Sequence, residues 1–554
     1  MRITWSLVLV ALMSVLICGQ GLLYTYDGLV GGDSLGISVR DIGDVDQDGF
    51  GDYITGAFFA DTVNGVDSGA AYVYSGQTGA LLYSIPGAAA GDRFGVAVAG
   101  GADVTGDGVD DFAVGASRSD LGGLDSGLVA VYSGATGNLA RVLVGSTGFN
   151  LGESVSLGDL DGDGFAEIAC CSFTQTYVGR AFVYNGIDGS LRFQLFAPGV
   201  TSGGQANWGF GIDVVGDVDA DGYGDLCVVG YSTGNGVTPS TIFSGFDGSI
   251  IRVLSYQGFD PYRAVAGAGD LDSDGTPDLV IAKPGNGSIF GGGSASTSLG
   301  AISGANGALI WTAQSDAAWG YWPIWVDGIG DLNGDGINDV LAGSGNASIG
   351  GGFYKGSFQA FSGSNGGLIM AVYGETAQSY FGARVSAAGD VNGDGVEDII
   401  VGAYGQGGAT GRVQVYSGWY VNSAWACSIA KGIGCGGAAT APLLTATRPV
   451  LGTASTIRIQ RGPTAAVAAL VIDASWPAPW AFNPACIAHV DLANLNNWLW
   501  LPIGNVAGGG VLSFVLGVPN QPGLAGFPVT FQAVFASPGP AYALSNGVYV
   551  QIGF

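Results

Sequence analysis

The stretch DVDQDGFGD, from Asp44 to Asp52, recurs along the chain at a nearly constant interval, and no other feature limits the possible folds as tightly. The further copies are DVTGDGVDD from Asp103, DLDGDGFAE from Asp159, DVDADGYGD from Asp217, DLDSDGTPD from Asp270, DLNGDGIND from Asp331 and DVNGDGVED from Asp390. Successive starts are 59, 56, 58, 53, 61 and 59 residues apart. A period of this length marks a repeat architecture, in which each unit buries its apolar surface against its neighbours.

Each repeat is built on one plan. Upstream of the loop stands an aromatic residue or leucine followed by glycine: Leu35-Gly36, Phe94-Gly95, Leu151-Gly152, Trp208-Gly209 and Phe381-Gly382. The fifth and sixth repeats depart from this, with Pro261-Tyr262 and Trp322-Pro323. Downstream comes a short apolar strand that runs into small residues, as in YITGA, FAVGA and IIVGA, which read as a turn. A third strand then closes on a glycine-containing turn, as in VYSGQTGALL. Four antiparallel strands per repeat make the blade of a β-propeller, and seven repeats make seven blades. The composition agrees: 102 glycines in 554 residues without a three-residue period, and 47% hydrophobic residues, exclude collagen and disorder. The seventh repeat lacks a fourth strand after VQVYSG, whereas GLLYTYDG at Gly21–Gly28 resembles GALLYSIPG at Gly79–Gly87. Leu22–Tyr26 is therefore expected to complete the last blade beside Arg412–Tyr416, removing two exposed sheet edges.

The aromatic-glycine pair, the acidic loop and the Gly-Ala turn together resemble the FG-GAP repeats of the integrin α-chain propeller, over roughly Leu22 to Gly418. The resemblance implies a secreted or surface-exposed adhesion or binding module. It further implies calcium in the loops between the first and second strands of a blade. The ligand, a protein or a glycan, would sit on the opposite face, built from the connections between strands two and three and between successive blades.

Calcium takes about six to eight oxygens, several of them carboxylate. Positions 1, 3, 5 and 9 of each loop supply them, with the carbonyl at position 7. The candidate ligands are Asp44, Asp46, Asp48 and Asp52; Asp103, Thr105, Asp107 and Asp111; Asp159, Asp161, Asp163 and Glu167; and Asp217, Asp219, Asp221 and Asp225. The remaining loops offer Asp270, Asp272, Asp274 and Asp278; Asp331, Asn333, Asp335 and Asp339; and Asp390, Asn392, Asp394 and Asp398. An EF-hand would place glutamate at position 12, where the first loop has Thr55. These positions hold 25 of the chain's 45 acidic residues, and up to seven bound calcium ions would bring the net charge from −28 to −14. The ion is thus expected to act as a structural counter-charge.

A charge of −28 argues against nucleic acid and anionic membranes. No phosphate loop, dinucleotide fingerprint or zinc spacing is present, and the single histidine, His489, has no evident catalytic partners, so the chain reads as a non-enzyme. The stretch WTAQSDAAWGYWPIWVDG offers Trp319 and Tyr321 for stacking on a ligand, and Tyr262 and Arg263 fall on the same side. The alternative reading is a non-catalytic structural or accessory surface protein, or a lectin-like carbohydrate binder.

Residues 1–21 read as a secretory signal, with Arg2 ahead of an apolar run from Leu7 to Ile17 that is too short to span a bilayer. Ile17 stands where a lipidation signal at Cys18 would need a small residue. The mature protein is expected to be secreted or displayed on the cell surface, with the propeller at 22–420. Cys170, Cys171 and Cys227 fall in expected strands and read as buried thiols. From 426 to 554 the chain is acid-poor and carries runs such as STIRIQ, AALVIDA and VTFQAVF, read as a small β-sandwich. There Cys435–Cys486 is the preferred disulfide, with Cys427 as the competing partner. This segment resembles C-terminal modules of exported planctomycete-type proteins.

Overall fold

The computed structural model describes residues 21–172, 179–198, 206–232, 240–254, 264–283, 298–314, 325–348 and 353–418, together with strands between Leu443 and Gln551. Leu23–Trp419 is one compact unit. Among the described residues it holds seven four-stranded antiparallel sheets, each a simple meander. The first blade shows the pattern, with strands Ser38–Asp41, Tyr53–Ala57, Ala70–Tyr74 and Leu81–Pro86. The first strand of every blade packs beside the first strands of the two neighbouring blades, and the ring closes between blades one and seven. The fold is a seven-bladed β-propeller. Its seventh sheet runs Arg384–Ala387, Ile399–Gly402, Arg412–Tyr416 and then Leu22–Asp27 from the other end of the chain.

Burial follows position in the blade. The second strands lie between neighbouring sheets and are buried on both faces, so every residue of Tyr53–Ala57 and Asp111–Ala116 is buried. The fourth strands form the rim, and Leu81–Pro86 and Leu139–Val144 alternate or lie exposed. Leu35, Phe94, Leu151, Trp208 and Phe381, which precede the repeat's glycine, are all buried between blades. Burying a side chain of that size stabilises by about 1.5–3 kcal/mol. Cys170, Cys171 and Cys227 are buried free thiols, as expected.

The Gly-Ala glycines depart from the sequence reading. Gly56, Gly115, Gly343 and Gly402 lie inside the second strands rather than in turns. A Cβ on each would stand 2.0–2.3 Å from the carbonyl oxygen of Gly95, Gly152, Gly382 or Gly36, the aromatic-glycine residue of the next blade. At these four junctions a pair of glycines therefore lets adjacent blades touch backbone to backbone.

A second unit contains the strands after Leu443. They form a three-stranded sheet, a five-stranded sheet and a two-stranded pair. The runs STIRIQ, AALVIDA and VTFQAVF each fall in a strand, at Ala454–Gln460, Val467–Asp473 and Pro528–Ala536. The expected sandwich packing, the Cys435–Cys486 bridge and its competitor Cys427 lie outside the described residues, as does the signal segment. Among the described residues no helix is long and apolar enough to cross a membrane.

Candidate metal centres

All the acidic loops join the first strand of a blade to its second, so they share one face of the ring. Adjacent loops touch: a Cβ on Gly106, Gly162 or Gly393, at position 4, would collide with or press against the ring of Phe165, Tyr223 or Phe50, at position 7 of the next loop. Within a loop the backbone wraps around the first carboxylate. Asp44 Oδ1 accepts from the Asp48 N–H at 2.9 Å and Oδ2 from the Gly49 N–H at 2.8 Å. Asp48 in turn accepts from the Phe50 N–H at 3.0 Å. This winding requires two left-handed residues. Position 6 is always glycine, with φ from +84° to +95°. Position 4 is left-handed as well, even where it is Gln47, Ala220 or Ser273.

Position 9 has a double duty that the sequence reading did not anticipate. Asp52 is fully buried; one oxygen accepts from the Val45 and Asp46 N–H groups at 2.9 and 3.2 Å, and the other from the Gly76 N–H at 2.8 Å. Gly76 belongs to the turn between the third and fourth strands, so this carboxylate clamps the loop to the outer half of its own blade. Asp111, Asp225, Asp278, Asp339 and Asp398 do the same with Gly134, Gly245, Gly304, Gly363 and Gly418. Burial pushes Asp52 and Asp225 up to about 6, Asp339 to about 7 and Asp398 to about 8, and neighbouring loop carboxylates push the same way.

The donor set fits a hard divalent cation. In five loops three acids bring one oxygen each to within 4.8 Å of one another: Asp44, Asp46 and Asp48; Asp103, Asp107 and Asp111; Asp159, Asp161 and Glu167; Asp217, Asp219 and Asp225; and Asp270, Asp272 and Asp278. An ion there would supply a counter-charge to carboxylates held this close together. In loops six and seven position 3 is asparagine. Asn333 Nδ2 donates to Asp339 at 3.0 Å and Asn392 Nδ2 donates to Asp398 at 2.9 Å. The amide presents its nitrogen here, and it would serve as a metal ligand only after turning its oxygen inward.

A polar network on the propeller axis was not foreseen. Arg40 bonds Asp327 at 3.2 and 3.3 Å and Asp213 at 3.4 Å. Ser156 and the Gly267 N–H donate to Asp213, and Ser386 donates to Asp327. The signal was present: Arg40, Asp213 and Asp327 are charged residues at one common register of their first strands. Nearer the strand starts, towards the face opposite the loops, the axis opens into a cavity of about 90 Å³ lined in part by Glu153, Phe210, Trp325 and Arg384. The Arg384 guanidinium lies over the Trp325 ring, 4.2 Å from its centre. The candidate ligand residues Trp319, Tyr321, Tyr262 and Arg263 lie outside the described residues.

Residues 381–416, the core of the seventh blade, match the FG-GAP repeat family. The chain is 32% identical to integrin alpha-4 of Xenopus laevis over 206 residues, which covers 32% of this chain and 20% of that protein. It is 28% identical to integrin alpha-V of Gallus gallus over 243 residues, covering 38% and 22% respectively. It is 31% identical to integrin alpha-5 of Xenopus laevis over 215 residues, covering 35% and 20%. The chain thus spans about a fifth of the length of these relatives. Among solved structures, rhamnogalacturonan lyase YesW aligns over 72% of this chain and 75% of its own at 14% identity, with a TM-score of 0.38, a likeness too slight to bear on function.

Proposed function

We propose that this integrin-α-like FG-GAP propeller is an exported calcium-binding module that adheres to an extracellular protein or glycan through the face opposite its acidic loops. One observation carries the reading. The carboxylate clusters all sit at one end of the ring and are bonded into the blades, which commits that end to metal and structure. Calcium is structural in this reading: it supplies counter-charge to loop carboxylates that are already bonded into the blades. Binding then falls to the other end, where the cavity beside Trp325 and Arg384 opens. Trp319, Tyr321, Tyr262 and Arg263 belong to those connections by sequence. The chain acts without catalysis in this reading, and the C-terminal segment from 426 to 554 serves attachment or display.

Arrays of glycans and extracellular matrix proteins, probed in calcium and again in chelator, test the proposal. Binding is expected in calcium only. Replacing Trp319 and Tyr321 together with alanine should abolish it while bound calcium stays constant. Equal binding by that double variant would remove the assigned face, and no binding to any arrayed partner would favour a purely structural protein.

A further inference from the structure

Loop three differs from the other loops at two places that face each other. Position 9 is Glu167, where every other loop has aspartate. The second residue of the blade's fourth strand is Arg192, where the register of the other blades places Leu82, Ala140, Ile251, Ile310 and Ile369. The two changes meet. Glu167 keeps the clamp to its own loop, accepting from the Leu160 N–H at 2.8 Å. Its second oxygen, which in an aspartate takes the N–H of the outer turn, instead lies 3.3 Å from Arg192 Nη1. The same nitrogen donates to Asp161 Oδ2 at 2.5 Å, and Arg192 Nη2 donates to the Phe246 carbonyl of the next blade at 3.3 Å. All three side chains are largely sequestered, at 16% exposure for Arg192, 21% for Asp161 and none for Glu167. Among the described residues no other acidic loop has a ligand carboxylate paired with arginine or lysine.

We infer that in loop three the Arg192 guanidinium takes the place of calcium, so that the chain binds one ion fewer than its acidic loops provide for. The inference rests on the reading that these loops bind calcium. A guanidinium fixed on two of the ligand oxygens neutralises charge the ion would need and repels it at short range. One arm of the guanidinium bonds Asp161 and lies in ion-pair range of Glu167 while the other bonds the Phe246 carbonyl, an arrangement that a tethered cation holds without metal. Blade three would then keep its loop closed in chelator, when the other loops release their ions.

Calcium bound per chain, measured by equilibrium dialysis on the full-length protein, tests this. Arg192→Leu, which installs the residue of blade one, should bind one calcium more than the unaltered chain. Arg192→Gln should do the same while retaining a donor for Phe246, and it stands in if the leucine variant fails to fold. Asp270→Asn in loop five should bind one fewer. If Asp270→Asn loses an ion and neither Arg192 variant gains one, Arg192 is an accessory of an ordinary calcium loop and the inference is overturned. If neither the unaltered chain nor the Arg192 variants bind calcium, the calcium reading falls and the inference falls with it.

Discussion

Two glycines with the same appearance in the sequence do different work. Gly275, at position 6 of the fifth loop, has φ +90° and open space where a Cβ would go. Gly275→Ala should therefore cost only the left-handed backbone penalty, about 1–2 kcal/mol. Gly56 sits in a strand, and a Cβ there would lie 2.0 Å from the Gly95 oxygen and 2.4 Å from Ser38 Oγ. Relief would require two blades to move apart in a closed ring, so Gly56→Ala should cost more than about 4 kcal/mol, the range of severe core disruption. Thermal melting of both variants in saturating calcium measures the contrast, and similar losses would refute this assignment. The first glycine was legible from its motif, because a calcium loop needs a sharp bend at a fixed place. The second was not, because its reason lies in the backbone of the next blade and only the assembled ring brings the two together.

At the level of strands, the closing element can be removed as a unit. Leu22–Asp27 is held at the edge of blade seven by Tyr26, whose hydroxyl meets that of Tyr53 at 2.7 Å, and by Asp27, which pairs with Arg412 at 2.6 Å. Deleting Leu22–Asp27 should lower the melting temperature and expose Arg412–Tyr416 as an unpaired edge, with dimers or larger species in gel filtration. A monomer with unchanged melting would contradict this closure. The strand was readable in advance because it copies the apolar pattern of a fourth strand, local information that survives without coordinates. The links between blades were not readable, since chemically unlike residues fill one slot. Tyr24 bonds the Gln77 carbonyl, Tyr83 that of Gly134, Arg141 that of Ile187, Arg252 that of Gly304 and Trp311 that of Gly363. Each ties a fourth strand to the turn of the following blade. What they share is a donor at the right height, a property of register rather than of residue type.

The whole ring is held by charge as well as by packing, and the two charge systems should respond differently to solution conditions. Arg40 joins Asp213 and Asp327 on the axis, and with Arg40 itself the network draws on six of the seven blades. Arg40→Leu leaves two poorly solvated carboxylates without a cation and should cost about 3–5 kcal/mol in calcium and in chelator alike. The loops instead depend on an added ion. Without metal, burial holds Asp52 and Asp225 at about 6, Asp339 at about 7 and Asp398 at about 8, against about 3.9 for an unfolded aspartate. Between roughly pH 4 and 8 the folded chain then binds more protons than the unfolded one, so its stability falls as pH rises through that window. In chelator, melting should be higher near pH 5 than near pH 7.5. Calcium binds the ionised carboxylates and adds stability in proportion to its occupancy, and protons compete with it. In excess calcium the order should therefore reverse, with the largest gain over chelator at the higher pH. Four melting curves, at two pH values with and without calcium, decide the matter. Identical curves with and without chelator would mean that the acidic loops close without metal, and higher stability of the chelated protein near pH 7.5 would mean that their carboxylates are not the buried proton traps described above.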